Sequence, residues 1–195
     1  MRLPINCSVE YISDFLSDEE ANLLYTLLTE TYHIDKSKLS ICFDDKVIET
    51  DSYKILFSTE KLMQQNSHPE HVHGKVYPWF GLMKTLKDRV EKLTNQTFEI
   101  AMCLYYPNGE YFAPYHFDQL TSGKKTILPS ISLGEVREFS FKRNESNSTY
   151  SLDLANGSIL IMKEHSQSRY THSLPKNSKY KKGRINITFR ESNFK

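Results

Sequence analysis

The sequence predicts a mainly β fold with flanking helices, arranged as a β-sandwich or barrel. Short segments in which apolar and polar residues alternate recur in the second half of the chain, separated by turn residues. Two segments in the first half instead carry apolar residues at helical spacing. A length of 195 residues is typical of one domain, which can bury a core without disulfides or a structural metal. We therefore expect a single domain over residues 1–195, with helices packed outside the sheets.

The first predicted helix covers residues 18–32. Ser17 and Glu20 have the spacing of a capping box, in which each side chain accepts a hydrogen bond from a backbone N–H at the helix start. One face of this segment is apolar, with leucines at positions 23, 24, 27 and 28. The helix should bury this face against a sheet.

The second predicted helix covers residues 79–94, where apolar residues again form one stripe: Leu82, Leu86, Val90 and Leu93. Pro78 is typical of a helix start, and Asn95 is typical of a helix end. Residues 33–75 lie between the two helices and show little periodicity. Both strands and a mobile flap over a site remain open for this stretch.

Five alternating segments predict strands: residues 98–106, 138–142, 150–154, 158–162 and 184–190. The dipeptide Asn156-Gly157 favours a two-residue hairpin turn. We therefore expect residues 158–162 to return along residues 150–154.

The net charge of +1 conceals an asymmetry along the chain. Residues 1–120 carry 11 basic and 18 acidic side chains, which gives −7, whereas residues 121–195 carry 14 and 6, which gives +8. A basic C-terminal part can attract phosphates, but its charges can also be spread over several faces of the fold. A polyanion partner and an ordinary solvated surface both remain open.

Several function classes lack their sequence signals. The longest aliphatic run, residues 159–162, is far shorter than the ~20 residues of a membrane span, and the first residues lack the apolar segment of a secretory signal. Three widely separated cysteines are typical of reduced thiols. The chain contains no hydrolase G-x-S-x-G elbow, Walker loop or Rossmann fingerprint. We expect an intracellular monomer of the cytoplasm or nucleus without membrane attachment.

His116 and Asp118 are the first candidates for chemistry. Residues two positions apart on a strand point to the same face, so this imidazole and this carboxylate would be adjacent. Two histidines and one carboxylate form the facial triad of non-haem Fe(II) oxygenases, which leaves coordination positions open. The third ligand could be His165 or His172, and His172 is preferred because His165 falls in the polar, loop-like stretch 163–168.

The histidines 68, 71 and 73 form a second cluster. No carboxylate or cysteine set completes a metal site around them, so we expect a solvated loop.

Arg184, Asn186 and Arg190 differ by even numbers and therefore share one face of the last predicted strand. Alone, the pattern is more typical of a half-buried strand with its polar face in water. It also fits a strand that lines a cavity, where an arginine fork matches a carboxylate bidentately.

Five stretches of the chain resemble the AlkB family of Fe(II)- and 2-oxoglutarate-dependent dioxygenases. Each motif alone is common, but together they occur in the family's order and with similar spacing, over about residues 98–190. The stretches are 104–109 (LYYPNG), 116–118 (HFD), 130–134 (SISLG), 157–163 with 172–175 (GSILIMK and HSLP), and 184–190 (RINITFR).

The resemblance implies a double-stranded β-helix, or jelly roll, over about residues 98–190, preceded by helices and a substrate lid over about residues 1–97. Its Fe(II) ligands would be His116, Asp118 and His172. The implied reaction uses molecular oxygen and the cosubstrate 2-oxoglutarate to oxidise an N-methyl group, and it yields succinate, CO2 and formaldehyde. The protein would hold the iron, orient the methyl group and exclude water.

The resemblance also implies roles around the cosubstrate. Tyr105 and Asn186 would donate hydrogen bonds to 2-oxoglutarate, and Arg184 would pair with its distal carboxylate. Arg190 would lie nearer the metal and help to fix Asp118.

The implied partner is an alkylated nucleic acid, for which four side chains are candidate contacts: Gln119, Arg137, Tyr53 and Phe57. Gln119 follows the metal-binding motif, where repair enzymes of the family often carry acidic residues. Arg137 could meet a phosphate or merely water. The two aromatic residues, like Trp79, could stack on a flipped base or pack in the core.

Two departures from the family pattern keep other functions open. Cys103 stands two residues before Tyr105, where the family usually carries Asn, and this removes a hydrogen bond worth about 1 kcal/mol. The family's nucleotide-recognition lid is not recognisable in residues 41–75. The main hypothesis is oxidative demethylation of N-alkylated bases in DNA or RNA. The alternatives are the same chemistry on a protein side chain or small molecule, and a binding module with an inactive site.

Overall fold

The structure, a computed structural model, describes residues 3–5, 7–43, 46–118, 127–163 and 165–191, and its strands form two sheets. The larger sheet has the order β1 (Val9–Ile12), β10 (Ser158–Met162), β7 (Leu128–Gly134), β12 (Arg184–Arg190), β5 (Ile100–Tyr106), β3 (Lys46–Ser58) and β2 (Lys38–Phe43), with β4 (Lys75–Pro78) parallel to β3. The smaller sheet has the order β6 (Ala113–His116), β11 (Tyr170–Leu174), β8 (Arg137–Arg143) and β9 (Thr149–Leu154).

The two sheets pack face to face. Leu128 and Leu160 of the larger sheet share a buried cluster with Phe141 and Tyr170 of the smaller one. Two facing, mainly antiparallel sheets form the predicted jelly roll.

The helices are α1 (Asp18–Thr26), α2 (Glu60–Gln64), α3 (Glu70–His73), α4 (Gly81–Thr94) and α5 (Ser166–Arg169). A π-helical turn, Leu27–Thr31, continues α1, so both predicted helices are confirmed. The capping box is also present, because the Glu20 N–H donates to Ser17 Oγ at 3.2 Å and the Ser17 N–H donates to Glu20 Oε2 at 2.9 Å. Asn95 ends α4 in the left-handed conformation. No helix among the described residues is long and apolar enough to cross a membrane.

Helices α1 and α4 cover the outer face of the larger sheet. Leu24 of α1 and Val90 of α4 share one buried cluster with Ile187 of β12. Because side chains alternate along β12, its two faces have different surroundings. The apolar face packs against the helices: Ile185, Ile187 and Phe189. The polar face lines the gap between the sheets: Arg184, Asn186 and Arg190. The polar face of β12 therefore lines a cavity and does not lie in water.

Residues 33–75 form strands and short helices, and β3 pairs with β5 in the larger sheet. Strands from both sides of residue 97 thus share one sheet, and the proposed division into lid and core near this residue stays a prediction. The expectation of a solvated histidine loop is wrong for His68, which is buried with only 6% of its surface exposed.

The predicted hairpin at Asn156-Gly157 is wrong. The turn forms, with Gly157 at φ 77°, but it leads from β9 in the smaller sheet to β10 in the larger one. The Asn156 side chain accepts a hydrogen bond from the Gly134 N–H, which fixes the turn against the larger sheet. β10 pairs with β1 on one edge and β7 on the other, so neither edge is left for β9, which pairs with β8 in the smaller sheet.

Candidate active site

Three predicted metal ligands converge at one point of the fold. The strand register places His116 of β6 opposite His172 of β11, and Asp118 follows two residues after His116. One ligand atom from each side chain lies within 4.8 Å of the others. His165, the alternative ligand, instead lies exposed at the start of α5.

Hydrogen bonds to the backbone orient this triad. His116 Nδ1 lies 2.7 Å from the carbonyl oxygen of Pro114, so Nδ1 donates and Nε2 keeps its lone pair for a metal. The backbone N–H of Asp118 donates to Gln167 Oε1 at 2.9 Å. Both contacts hold ligand residues that lie at or just beyond the end of a short edge strand.

The Asp118 carboxylate is held in its charged form. Burial alone would raise its pKa, but the hydrogen bond from His172 and the positive charge of Arg190 outweigh burial and hold the pKa well below its usual range. His172 Nε2 lies 3.4 Å from Asp118 Oδ2, and Arg190 donates to Oδ1. Arg190 thus occupies the position beside Asp118 that the sequence analysis expected.

The donor set fits a divalent iron. Two imidazole nitrogens and one carboxylate oxygen are the ligands of the facial triad, and they leave other positions open. The 3.4 Å between His172 Nε2 and Asp118 Oδ2 is close to the spacing of about 3 Å between adjacent ligands of an octahedral ion with bonds of about 2.1 Å.

A cavity of about 60 Å³ adjoins the triad and lies between the sheets. Strands β5 and β12 supply much of its wall, because Arg184 lies opposite Tyr106 and Asn186 lies opposite Leu104 in their register. The Asn186 amide is held on both sides: Oδ1 accepts from Ser130 Oγ at 2.7 Å, and Nδ2 donates to Thr188 Oγ1 at 2.8 Å. These polar groups form an ordered surface inside an otherwise apolar gap.

Arg184 is a buried cation in this cavity. Its guanidinium donates to Ser132 Oγ at 2.9 Å, while Nε is buried without a hydrogen-bond partner among the described residues. Burial, together with the charge of Arg137, lowers the pKa of Arg184 to about 10, so the group stays charged at neutral pH. A buried cation with an unused donor fits a carboxylate ligand, because a bidentate pair satisfies the fork.

The predicted role of Tyr105 is contradicted by the direction of its side chain. Tyr105 lies opposite Ile185 and packs against the helix-side core, whereas its neighbour Tyr106 lines the cavity near Arg184. Cys103 is likewise buried on the helix side, so the residue that faces the cavity two positions before the tyrosine is Leu104. The Tyr-Tyr doublet was the sequence feature that could have indicated Tyr106. Adjacent side chains on a strand point to opposite faces, so only one of the two tyrosines lines the cavity near Arg184.

Two of the four substrate candidates, Phe57 and Arg137, are fully buried. Phe57 is fully buried in the helix-side core, and Trp79 stacks on Phe189 with ring centroids 6.3 Å apart. Arg137 is also fully buried, and it donates to the carbonyl oxygens of loop residues instead of reaching the surface. Gln119 lies outside the described residues.

Tyr53 borders a second cavity, of about 270 Å³, which opens beside the metal ligand His116. Tyr105, Tyr106, Tyr111 and Phe112 also line it, and the sequence analysis missed the last two. The rings of Tyr53 and Tyr111 lie 5.9 Å apart. Because these two rings already contact each other, a planar aromatic group would stack on their open faces beside the triad, not between them.

The chain is similar to known proteins over most of its length. A family model described as the 2OG-Fe(II) oxygenase superfamily matches residues 8–190. Over 122 residues, which are 57% of this chain and 43% of the relative, the chain is 32% identical to the alpha-ketoglutarate-dependent dioxygenase alkB homolog 3 of Homo sapiens. Over 123 residues, 58% of this chain and 44% of the relative, it is 29% identical to the DNA oxidative demethylase ALKBH2 of Bos taurus.

The fold is similar to the solved structure of OsALKBH1, with a TM-score of 0.65 and 14% identity over 97% of this chain and 100% of that chain. A similarity at this level of identity concerns the fold, and it agrees with the jelly roll described above. The chain spans less than half the length of the two curated relatives.

Proposed function

Because the chain belongs to the 2OG-Fe(II) oxygenase superfamily, with Fe(II) as its metal and 2-oxoglutarate as its cosubstrate, we propose that it oxidatively demethylates N-alkylated bases in DNA or RNA. The similarity to two proteins named as AlkB homologues supports this choice within the superfamily. The observation that carries the proposal is the aromatic cavity that opens on His116.

In this proposal His116, Asp118 and His172 hold Fe(II). Bound Fe(II) and 2-oxoglutarate supply, with molecular oxygen, the oxidant that hydroxylates an N-methyl carbon, while the cosubstrate becomes succinate and CO2. Arg190 keeps the Asp118 carboxylate charged and oriented. The hydroxymethyl product then breaks its C–N bond and releases formaldehyde.

Arg184 and Tyr106 form the cosubstrate end of the cavity. The Arg184 guanidinium pairs with the distal carboxylate of 2-oxoglutarate, since it is buried and has an unused Nε donor. The Tyr106 ring lies 5.6 Å from that guanidinium, and its hydroxyl supplies a further donor. Asn186 is held in the same wall by Ser130 and Thr188.

The aromatic cavity suits a nucleobase. An extruded base is a flat, polar ring that stacks on aromatic side chains and hydrogen-bonds through its edge. Tyr53, Tyr111 and Phe112 offer ring faces, and the two tyrosines add hydroxyl groups. A base held there places its substituents beside His116.

Exposed lysines that suit a phosphate backbone lie in a segment hydrogen-bonded to one loop of this cavity. They belong to the segment 175–183: Lys176, Lys179, Lys181 and Lys182. Backbone hydrogen bonds join this segment to loop 107–112, which carries Tyr111 and Phe112. Cations beside stacking rings are typical of single-stranded nucleic-acid sites.

The test is turnover with N-methylated oligonucleotides. With Fe(II), 2-oxoglutarate and oxygen, we expect succinate and formaldehyde in equal amounts, together with the loss of the methyl group from the oligonucleotide. An unmethylated oligonucleotide and the His172→Ala variant are the controls. If no member of a panel of methylated bases stimulates succinate formation, the nucleic-acid substrate is wrong. Stimulation by a peptide or small molecule would then favour the alternative. The monomeric state and the cytoplasmic or nuclear location stay predictions.

A further inference from the structure

Arg137 is a fully buried arginine outside the proposed set of metal and cosubstrate ligands. Its guanidinium donates to three carbonyl oxygens, those of Asn108 at 3.2 Å, Tyr111 at 3.0 Å and Pro175 at 3.2 Å. Among the described residues no carboxylate lies within 4.0 Å of it. This buried cation therefore holds two separate loops through hydrogen bonds to backbone oxygens, and its guanidinium also lies 5.0 Å from the centre of the Tyr180 ring.

Arg137 also neighbours the cosubstrate end of the cavity. Its guanidinium lies 5.8 Å from the centre of the Tyr106 ring, and the guanidinium of Arg184 lies 5.6 Å from the same centre. Two buried cations thus share one aromatic neighbour, and each disfavours the charge of the other. A dianion bound at Arg184 would remove this repulsion, because it neutralises one of the pair.

The two loops that Arg137 holds are in tight contact with each other. The Asn177 N–H donates to the Gly109 carbonyl oxygen at 3.0 Å, and the Gly109 N–H donates to the Tyr180 carbonyl oxygen at 3.0 Å. A Cβ on Gly109 would lie 1.8 Å from the carbonyl oxygen of Asn177, so glycine is required there. Loop 107–112 carries Tyr111 and Phe112 of the aromatic cavity.

We propose that Arg137 is a positioning residue that couples 2-oxoglutarate binding at Arg184 to the conformation of loop 107–112. The coupling rests on the proposed role of Arg184. When the cosubstrate neutralises Arg184, the repulsion acting on the Arg137 guanidinium falls, which strengthens its three hydrogen bonds to the carbonyl oxygens and stabilises both loops. The aromatic cavity is then completed in the cosubstrate-bound protein. This coupling is reciprocal: the cosubstrate stabilises the fixed loop conformation, and the fixed loops strengthen cosubstrate binding by the same factor. A substitution that loosens the loops should therefore weaken cosubstrate binding.

The first test is hydrogen exchange of the Fe(II)-loaded protein without oxygen, with and without 2-oxoglutarate. We expect the cosubstrate to slow exchange in segments 107–112 and 175–183 by about fivefold or more, the lower end of typical coupling factors. The turn at residues 144–147, at the opposite end of β8 from Arg137, should not change. Calorimetry on the same samples measures the dissociation constant of 2-oxoglutarate.

Two variants separate this role from general stability. Arg137→Lys keeps the charge but loses the planar fork, so it should abolish the protection and raise the 2-oxoglutarate dissociation constant about fivefold. Gly109→Ala pushes the loops apart without changing any residue that lines the cosubstrate cavity, and it should raise the same constant. Arg143→Lys is the matched control, because Arg143 lies on the same strand but is paired with Glu145 at the surface.

The outcomes distinguish a failure of the proposed function from a failure of the coupling alone. If the wild-type protein binds no 2-oxoglutarate, the proposed function fails and the coupling fails with it. If it binds 2-oxoglutarate without slowing exchange in the two loops, only the coupling is overturned. Wild-type affinity in Gly109→Ala overturns the coupling as well, and this variant decides the question if Arg137→Lys does not fold.

Discussion

The substitutions Tyr106→Phe and Tyr105→Phe form a matched pair, because each removes one hydroxyl and keeps a ring on adjacent residues of β5. In the structure Tyr106 lines the cavity with Arg184, whereas Tyr105 faces the helix-side core. A hydrogen bond to a charged group contributes about 1.5–3 kcal/mol, and 1.4 kcal/mol corresponds to a tenfold change in affinity. Tyr106→Phe should therefore weaken 2-oxoglutarate binding by about tenfold to a hundredfold.

Tyr105→Phe should leave 2-oxoglutarate binding unchanged. Its hydroxyl is hydrogen-bonded to Tyr25 outside the cavity, so its loss should lower the free energy of unfolding by about 1 kcal/mol. Calorimetry of the Fe(II)-loaded proteins without oxygen measures the affinity, and urea unfolding measures the stability. Weakened binding in Tyr105→Phe together with wild-type binding in Tyr106→Phe would refute the assignment of the cavity face.

Three further predictions concern stability and binding. Glu20 has a lowered pKa because of the Ser17 backbone N–H and Arg89, so its contribution to stability is present above its unfolded pKa and is lost as the pH falls. Glu20→Gln should therefore lower the melting temperature at pH 7 and not at pH 3, and an equal loss at both values would contradict this. Ile187→Ala should cost about 2–5 kcal/mol in urea unfolding, because Ile187 is fully buried. Lys182→Ala should weaken oligonucleotide binding and reduce its salt dependence by about one counterion, and an unchanged salt slope would place the phosphates elsewhere.

The triad and the polar face of the last strand could be predicted because their spacing is local. His116 and Asp118 differ by two positions, and Arg184, Asn186 and Arg190 differ by even numbers, so alternation places each set on one side. The choice of His172 over His165 also needed only local sequence, since a strand places a ligand more firmly than a polar turn. That the fold is a jelly roll was implied by the resemblance of the five stretches to the AlkB family.

The errors arose where tertiary contacts decide. Alternation says that Tyr105 and Tyr106 point in opposite directions, but the register with β12 decides which of them meets Arg184. The turn at Asn156-Gly157 has the expected backbone, but the strand that follows it pairs with β1 and β7 of the larger sheet, and the local sequence does not specify these partners. The position of Arg137 could not be read from its charge, because its partners are backbone carbonyl oxygens that the sequence does not distinguish.

The measurement that tests the metal site most directly is Fe(II) binding by calorimetry without oxygen, on the wild-type protein, His172→Ala and His165→Ala. The wild-type protein and His165→Ala should each bind one Fe(II) per chain with equal affinity, because His165 lies exposed at the start of α5. His172→Ala should bind it at least tenfold more weakly, since it loses one of three protein ligands. Wild-type affinity in His172→Ala would contradict the site.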